Sequence, residues 1–513
     1  MTSESAPKTE RNDGHTIARN TAYNLLGRGL PLLVGLATMP FVVRYLGEER
    51  FGLFAIGMTI ITMSFMFDLG LGRAVAKYVA AYRAEGRAQD IPPLLWSALL
   101  IQALLGTLGA LVFGACTPWL VESVLTIPEE LLPEARNIFY LLAAAAVLTL
   151  TESGFAGALE GCQRFGLLNA VRAPANVLGL LFILWVAYIH GPLTLFFTFF
   201  LGTRVAVNLL LLLLCSRIIP GLFRNGKPSV AGISPLIHFG KWVTLSNLIA
   251  PALLYADRLL VASMGSLGQV AYYTGPFQLA ERILIIPSTL TSTLFPAISA
   301  LDSTNARLNI QRLSAQALHY LVCIMGLTCV ALAIGAPWIV WVFFGEAYMN
   351  HSVSVLRILL SGLAINALAL VPFSVVQACG RPDITAKLHL VEFPIHIIMV
   401  VVGYHVAGLP GVALAWTLRV CLDCLLLLAV CDQKSWLRFG RLVEMGTLRN
   451  VSVYAAIGAV FSLVTWKADE VQIAWAIGGV VLLIVYTGSM GLTAEERRKL
   501  WRLLRRRGGV PAE

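Results

Sequence analysis

The chain has 513 residues, 58% of them hydrophobic and 13% charged, with a net charge of +10 and a mean hydropathy of +0.77. A soluble domain is about half apolar and about a quarter charged, so a water-soluble globule is excluded and lipid is the solvent. The basic excess follows the loops between apolar runs and is not read as nucleic-acid binding.

Residues 1–16 are polar and lack a small-residue cleavage site, and the apolar run behind them is too long for a leader peptide, so they read as a disordered cytoplasmic tail. Runs long enough to cross a hydrocarbon core roughly 30 Å thick then recur throughout. They predict fourteen helices, over 18–43, 51–80, 92–116, 135–158, 165–189, 192–215, 236–264, 268–298, 314–343, 352–378, 384–406, 409–430, 450–466 and 471–491. The second and eighth are long enough to project from the bilayer as amphipathic helix.

The loops alternate in charge. One set carries Lys77, Arg83, Arg87, Arg164, Arg217, Arg224, Lys227, Arg307, Arg312, Arg381, Lys434, Arg438 and Arg441, while Thr117–Glu134, Gly265–Gln269 and Gly345–Ser352 contain no Lys or Arg. The positive-inside bias places the first set and both termini in the cytoplasm. The tail "EERRKLWRLLRRR" (Glu495–Arg507) reads either as a basic helix on anionic lipid or as a topology anchor. Nine cysteines lie scattered in apolar segments and read as small core residues. Cys421 and Cys424 have metal-ligand spacing but no second pair, so no zinc site is expected.

The chain repeats itself. "TPWLV" (Thr117–Val121) returns as "APWIV" (Ala336–Val340) 219 positions later, and "CQRFG" (Cys162–Gly166) as "CGRPD" (Cys379–Asp383) 217 later. His190–Pro192 matches Ala407–Leu409 at 217, and Gly47 matches Gly265 at 218. The expected organisation is therefore a 17–216 six-helix bundle, a 217–233 cytoplasmic linker and a 234–430 six-helix bundle. A 431–448 linker, two extra helices over 449–492 and a basic tail over 493–513 follow. Six is even, so both halves enter from the cytoplasm as a parallel repeat. Two such bundles enclose a cavity able to open to either side, the physics of alternating access.

An ionisable residue at membrane depth is costly and should face a cavity or a partner. Arg28, about 15 Å into the first helix at 1.5 Å per residue, lies near the midplane. Asp257 and Arg258 sit side by side in the seventh helix, where neighbours point about 100° apart and so cannot simply neutralise each other. Asp68, Glu152, Arg172, Arg204, Glu281, Arg282, Arg357, His389, Glu392, Arg419 and Asp423 are also interior. Arginine suits bidentate capture of phosphate, so Arg28, Arg258, Arg172 and Arg204 are candidates for an anionic substrate. Asp257, Glu392, Asp68 and His389 are candidates for ion or proton coupling. Each group can equally lock helices together or snorkel. His389 matches Arg172 at the repeat offset, and His389, Glu392 and His396 share one helix face that reads as a proton path or a polar seam.

"GLFRNGKPS" (Gly221–Ser229) fails as a phosphate loop because Pro228 stands where Ser or Thr binds magnesium, and "DLGLGR" (Asp68–Arg73) lacks a third glycine. No nucleophile triad, metal cluster or ATP-binding domain is recognisable, so neither an enzyme nor a cofactor is expected.

Several stretches together resemble the polysaccharide flippases of the multidrug/oligosaccharidyl-lipid/polysaccharide exporter superfamily. They are Asn24 with Arg28, "RYLGEERFGLFAIG" (Arg44–Gly57), "FDLGLGRAVAKYVA" (Phe67–Ala80), "YADRLLVASMGSLGQVAYYT" (Tyr255–Thr274), "GEAY" (Gly345–Tyr348) and "ACGRPDITAK" (Ala378–Lys387). Val270 departs from the pattern, since many relatives carry glycine near the tyrosine that follows. The resemblance implies an all-α inner-membrane protein that moves an undecaprenyl-diphosphate-linked oligosaccharide outward, with Arg28 as the best match to a cationic cavity and a glycan polymerase among its partners. A multidrug-extrusion antiporter would favour an acidic cavity, and a glycan polymerase or ligase would need a larger outer loop than Thr117–Glu134.

Overall fold

The computed structural model describes residues 9–68, 70–224, 227–228, 249, 252–303, 306–464 and 470–491. Residues 236–248 of the expected seventh helix, the stretch Glu495–Arg507 and the side chains of 9–26 and of Arg28 lie outside the described residues. Among the described residues all regular structure is helical, and nine helices are long and apolar enough to cross a membrane. Helices satisfy their own backbone polar groups in lipid, and the chain is a multi-pass membrane protein. It divides into two compact units, Met1–Ala271 and Tyr272–Glu513.

In the first unit α1 (Thr9–Ser64) begins inside the stretch expected as a disordered tail, so residues 9–16 are helical. It is broken at Gly47, whose φ of 73° and ψ of 175° are non-helical, so the helices expected over 18–43 and 51–80 are distinct. Glycine takes that φ without a Cβ penalty. The second limb ends in a 3-10 turn, Phe65–Asp68, and left-handed Gly70 leads into α2 (Leu71–Ala84), so the helix expected over 51–80 is interrupted. Next come α3 (Ile91–Trp119), α4 (Leu132–Gly161), α5 (Phe165–Tyr188) and α6 (Leu193–Ile218). Helix α7 is described over 252–264. Val75, Leu95, Leu159 and Leu211 are fully buried where α2, α3, α4 and α6 meet. Helices α2 and α4 approach backbone to backbone: a Cβ on Gly157 would lie 2.2 Å from the Gly72 carbonyl oxygen. Without a hydrophobic force between helices in lipid, such small-residue contacts carry the packing. Helix α7 also belongs here, since the Thr126 N–H donates to the Ala262 carbonyl at 3.0 Å.

Helix α8 (Leu267–Glu281) leads into α9 (Ile285–Ser303) through a 3-10 turn, Arg282–Leu284, inside the helix expected over 268–298. Pro287 has no N–H to offer the Ile283 carbonyl, which explains the tightening. The helix expected over 314–343 is likewise two, α10 (Arg307–Ile334) and α11 (Ala336–Phe344), separated at Gly335. Pro337 cannot donate to the Ala333 carbonyl, and Arg357 Nε does so instead at 3.1 Å. Then follow α12 (Met349–Ala378) and α13 (Pro382–Gln433), the latter broken at Gly408 with φ 63° and ψ −141°. Helices α14 (Phe439–Glu444), α15 (Thr447–Val464) and α16 (Glu470–Tyr486) complete the unit. The last two are tied down by polar contacts: Asn450 Nδ2 donates to the Gly491 carbonyl at 2.9 Å, and His319 Nδ1 lies 3.0 Å from Thr447 Oγ1.

Element boundaries recur at a spacing of 217. The 3-10 turns Glu129–Leu131 and Glu346–Tyr348 precede α4 and α12, each of 30 residues. Gln163 (φ 57°) and Gly380 (φ 73°) then turn the chain into α5 and α13. The Cys215 and Cys431 thiols sit 3.8 and 3.7 Å from the carbonyls of Phe155 and Pro372.

Candidate functional site

Glu152 sits in the apolar α4 with 4% of its surface exposed. Two arginines from different helices hold it: Arg172 Nε of α5 donates to Oε1 at 2.7 Å, and Arg204 Nη1 of α6 donates to Oε2 at 2.9 Å. The Arg204 guanidinium also lies 4.6 Å over the Phe200 ring one turn earlier. These groups border a cavity of about 380 Å3 whose other lining residues include Met58, Thr62, Thr149 and Asn176. Two guanidiniums against one carboxylate leave the cavity net positive. Arg204 Nε is buried without a hydrogen-bond partner. An apolar-walled cavity with a few convergent polar groups is the usual form of a ligand site, and this one presents donors to an anion.

The other sequence candidates fall in different places. Arg28 belongs to α1, and its side chain lies outside the described residues. Its backbone stretch runs beside the start of α5, because a Cβ on Gly27 would meet the Asn169 side chain. Asp257 and Arg258 are buried, the Arg258 N–H donating to Asp257 Oδ1 at 2.8 Å and its guanidinium lying 4.7 Å from the Tyr255 ring. Neither lines the Glu152 cavity. Asp68 is fully engaged: Oδ1 accepts from Gln102 Nε2 at 2.7 Å and from the Ser153 hydroxyl, and Oδ2 accepts the Gly72 N–H at 3.3 Å. That knot pins α2, α3 and α4 together.

In the second unit the two limbs of α13 bring charges together. His389, Glu392 and His396 lie on the first limb, with Arg419 and Asp423 on the second. His389 Nε2 is 3.8 Å from Asp423 Oδ1, and Arg419 Nη1 is 3.7 Å from Glu392 Oε2. The Phe373 ring of α12 stacks on His389 at 6.0 Å. Ligand-capable atoms of His389, Glu392 and Asp423 all lie within 4.8 Å of one another. Cys421 and Cys424 are free thiols. At the loop cysteine Cys379, burial and the Asp302 carboxylate push the thiol up to about 12, so it stays protonated.

Sequence reasoning named Arg172 and Arg204 as substrate candidates and noted Glu152 only as an interior charge. Their meeting joins positions 20 and 52 residues apart, which no spacing rule foretells. Arg357 proves to donate to the carbonyl that Pro337 orphans.

Among the described residues the chain is all-helical and multi-pass, with charged groups buried in each unit, and its fold is similar to that of solved membrane proteins. The structure matches an inward-facing multidrug resistance MATE family transporter of the MOP superfamily at a TM-score of 0.68 and 15% identity, over 80% of this chain and 98% of that one. It matches the inward closed lipid II flippase MurJ at 0.65 and 13% identity, over 91% of this chain and 98% of that one. Residues 17–302 match the polysaccharide biosynthesis protein family, and the chain belongs to it. A Shigella flexneri relative named for O-antigen transport is 28% identical over 423 residues, covering 80% of this chain and 97% of that protein. The lipopolysaccharide biosynthesis protein WzxC of Escherichia coli K12 is 24% identical, over 75% of this chain and 74% of that one.

Proposed function

We propose that the chain is a flippase that carries an undecaprenyl-diphosphate-linked oligosaccharide from the cytoplasmic to the outer leaflet of a bacterial inner membrane, without catalysing a reaction of its own. The observation that carries this reading is the net-positive Glu152 cavity, set in a chain that matches nearly the whole length of a relative named for O-antigen transport. Arg172 and Arg204 are the groups offered to the diphosphate or to an anionic sugar, with Arg28 and Arg258 as further arginines of the path. The lipid tail stays in the bilayer. Two six-helix bundles over 17–216 and 234–430, fourteen spans and cytoplasmic termini complete the architecture, and the recurrence of α4 in α12 at 217 residues supports it. A glycan polymerase is the partner such a pathway needs.

Multidrug extrusion is the second reading, favoured by the MATE-like fold. A positive cavity selects against cationic drugs, so the flippase reading comes first.

Mass spectrometry of the lipid fraction after depletion in the host tests this. Undecaprenyl-diphosphate oligosaccharide is expected to accumulate while the surface polymer is lost, with restoration by wild type but not by Arg28→Ala or Arg172→Ala/Arg204→Ala at equal expression. An unchanged lipid pool with new sensitivity to cationic drugs would transfer the function to the antiporter. Because outward movement of negative charge gains about 2.3 kcal/mol per charge per 100 mV, collapsing the membrane potential is expected to slow flipping. An unchanged rate would rule out electrogenic export.

A further inference from the structure

We propose that His389, Glu392, His396, Arg419 and Asp423 form a site in the second unit that binds and releases one proton. Four members are buried, Glu392 at 1% exposed, His396 at 0%, Asp423 at 6% and Arg419 at 8%, and the His389 side chain is partly exposed at 12%. The charged groups that bear on each member are the other members, contributed by the two limbs of α13. Helix α12 adds the apolar Phe373 ring, and its own arginine, Arg357, is turned to the Ala333 carbonyl.

Hydrogen bonding distinguishes this set from a structural lock. Buried polar groups in folded proteins are nearly always satisfied, as Glu152 and Asp68 are here. Both Glu392 carboxylate oxygens, both His396 ring nitrogens, Asp423 Oδ1 and Arg419 Nε have no hydrogen-bond partner. The ion contacts of 3.7 and 3.8 Å are too long for hydrogen bonds. Neighbouring acceptors repel until a proton is placed between them, and then one donor–acceptor bond forms where there was none.

Charge and donor type select the proton over a metal. With neutral imidazoles, two carboxylates and one guanidinium sum to −1, so a single added proton makes the interior set neutral. A divalent ion would leave it at +1 with a guanidinium 3.7 Å from one of its ligands. Sodium takes oxygen donors, and the unpartnered oxygens number three, the remaining donors being imidazole nitrogens and a guanidinium. Since the site spans both limbs of α13, the proton changes how strongly the limbs attract each other. This inference stands apart from the identity of the transported lipid.

Acid-minus-neutral infrared difference spectra of the purified full chain in lipid nanodiscs test it. The wild-type difference spectrum is expected to exceed that of Glu392→Gln by a protonated-carboxyl band equal to one group per chain, shifting on deuteration, with the other carboxyl groups of the chain common to both. Asp423→Asn serves as the second variant if the first does not fold, and both are checked by size-exclusion profile. Identical difference spectra in wild type and a folded variant would overturn the proposal. So would saturable one-to-one binding of zinc chloride or sodium chloride, measured by calorimetry at fixed pH and lost in the same variant. The spectra require no lipid-linked glycan, so their outcome is independent of the flippase reading.

Discussion

Glu152→Ala is expected to destabilise the first unit by about 3 kcal/mol, the scale of removing one partner from a buried ion pair. Glu152 supplies the counter-charge for both Arg172 and Arg204, so its loss leaves two guanidiniums facing each other across a largely apolar wall. Their side chains are 30% and 21% exposed toward the cavity, so water and lipid headgroups relieve part of the penalty and the protein still folds. Glu152→Gln keeps the shape and one acceptor and is expected to cost about half as much, since a neutral acceptor makes the weaker hydrogen bond. Denaturant unfolding in detergent measures both, and a Glu152→Ala loss below about 0.5 kcal/mol, the range of a surface change, would contradict the described geometry. A double-mutant cycle with Arg172→Ala should return a coupling of about 1–3 kcal/mol, as contacting residues do. Transport should separate the roles: Glu152→Gln retains the anion-attracting arginines and part of the flux, whereas Arg172→Ala/Arg204→Ala removes them.

That triad shows where sequence reasoning stops. Apolar periodicity locates the helices, and glycine at 47 and 408 marks two of the breaks, because a chain leaving a helix at positive φ favours a residue without Cβ. The breaks at Gly70 and Gly335 are not legible, since the apolar pattern continues through both and the decisive event is local: a left-handed turn in one case, a proline two residues on in the other. Interior charges are visible as such in the sequence. Which of them pair is not, because pairing depends on helix rotation and neighbour choice. Arg357 reads only as an interior charge, and its partner, the Ala333 carbonyl at 3.1 Å, lies 24 residues away on another helix. Asp68 reads as a candidate coupling group, and the three donors that the structure gathers on it, from α2, α3 and α4, have no sequence signal. One long-range spacing does recur: the turn before α4, its length and its start return in α12 217 residues later, where similar local sequence signals act.

Gly411→Val is expected to be the most damaging single change in the second unit. The limbs of α13 cross backbone to backbone: a Cβ on Gly411 would lie 1.9 Å from the Gly403 carbonyl oxygen, and one on Gly403 would lie 2.5 Å from that of Gly411. Carbon–oxygen contacts relax at about 3.3 Å, so the limbs must separate by more than an ångström, and no flexible side chain stands between them to give way. Overpacking commonly costs about 1–3 kcal/mol, and with backbone on both sides the upper end is expected. The turn at Gly408 lies between the two glycines, so widening there splays the limbs and lengthens the Arg419–Glu392 and His389–Asp423 contacts farther along. The change should therefore lower the midpoint of thermal unfolding and also diminish the titrating carboxyl band of Glu392 in the fraction that folds. Gly179→Ala is the matched control: it lies inside α5 with nothing within 4 Å of the added Cβ, and alanine is the better helix former by about 1 kcal/mol. Equal stability of Gly411→Val and Gly179→Ala would mean that the limbs do not meet as described. A destabilised Gly411→Val with an unaltered carboxyl band would mean instead that the crossing supports the fold while the proton site is held by other contacts.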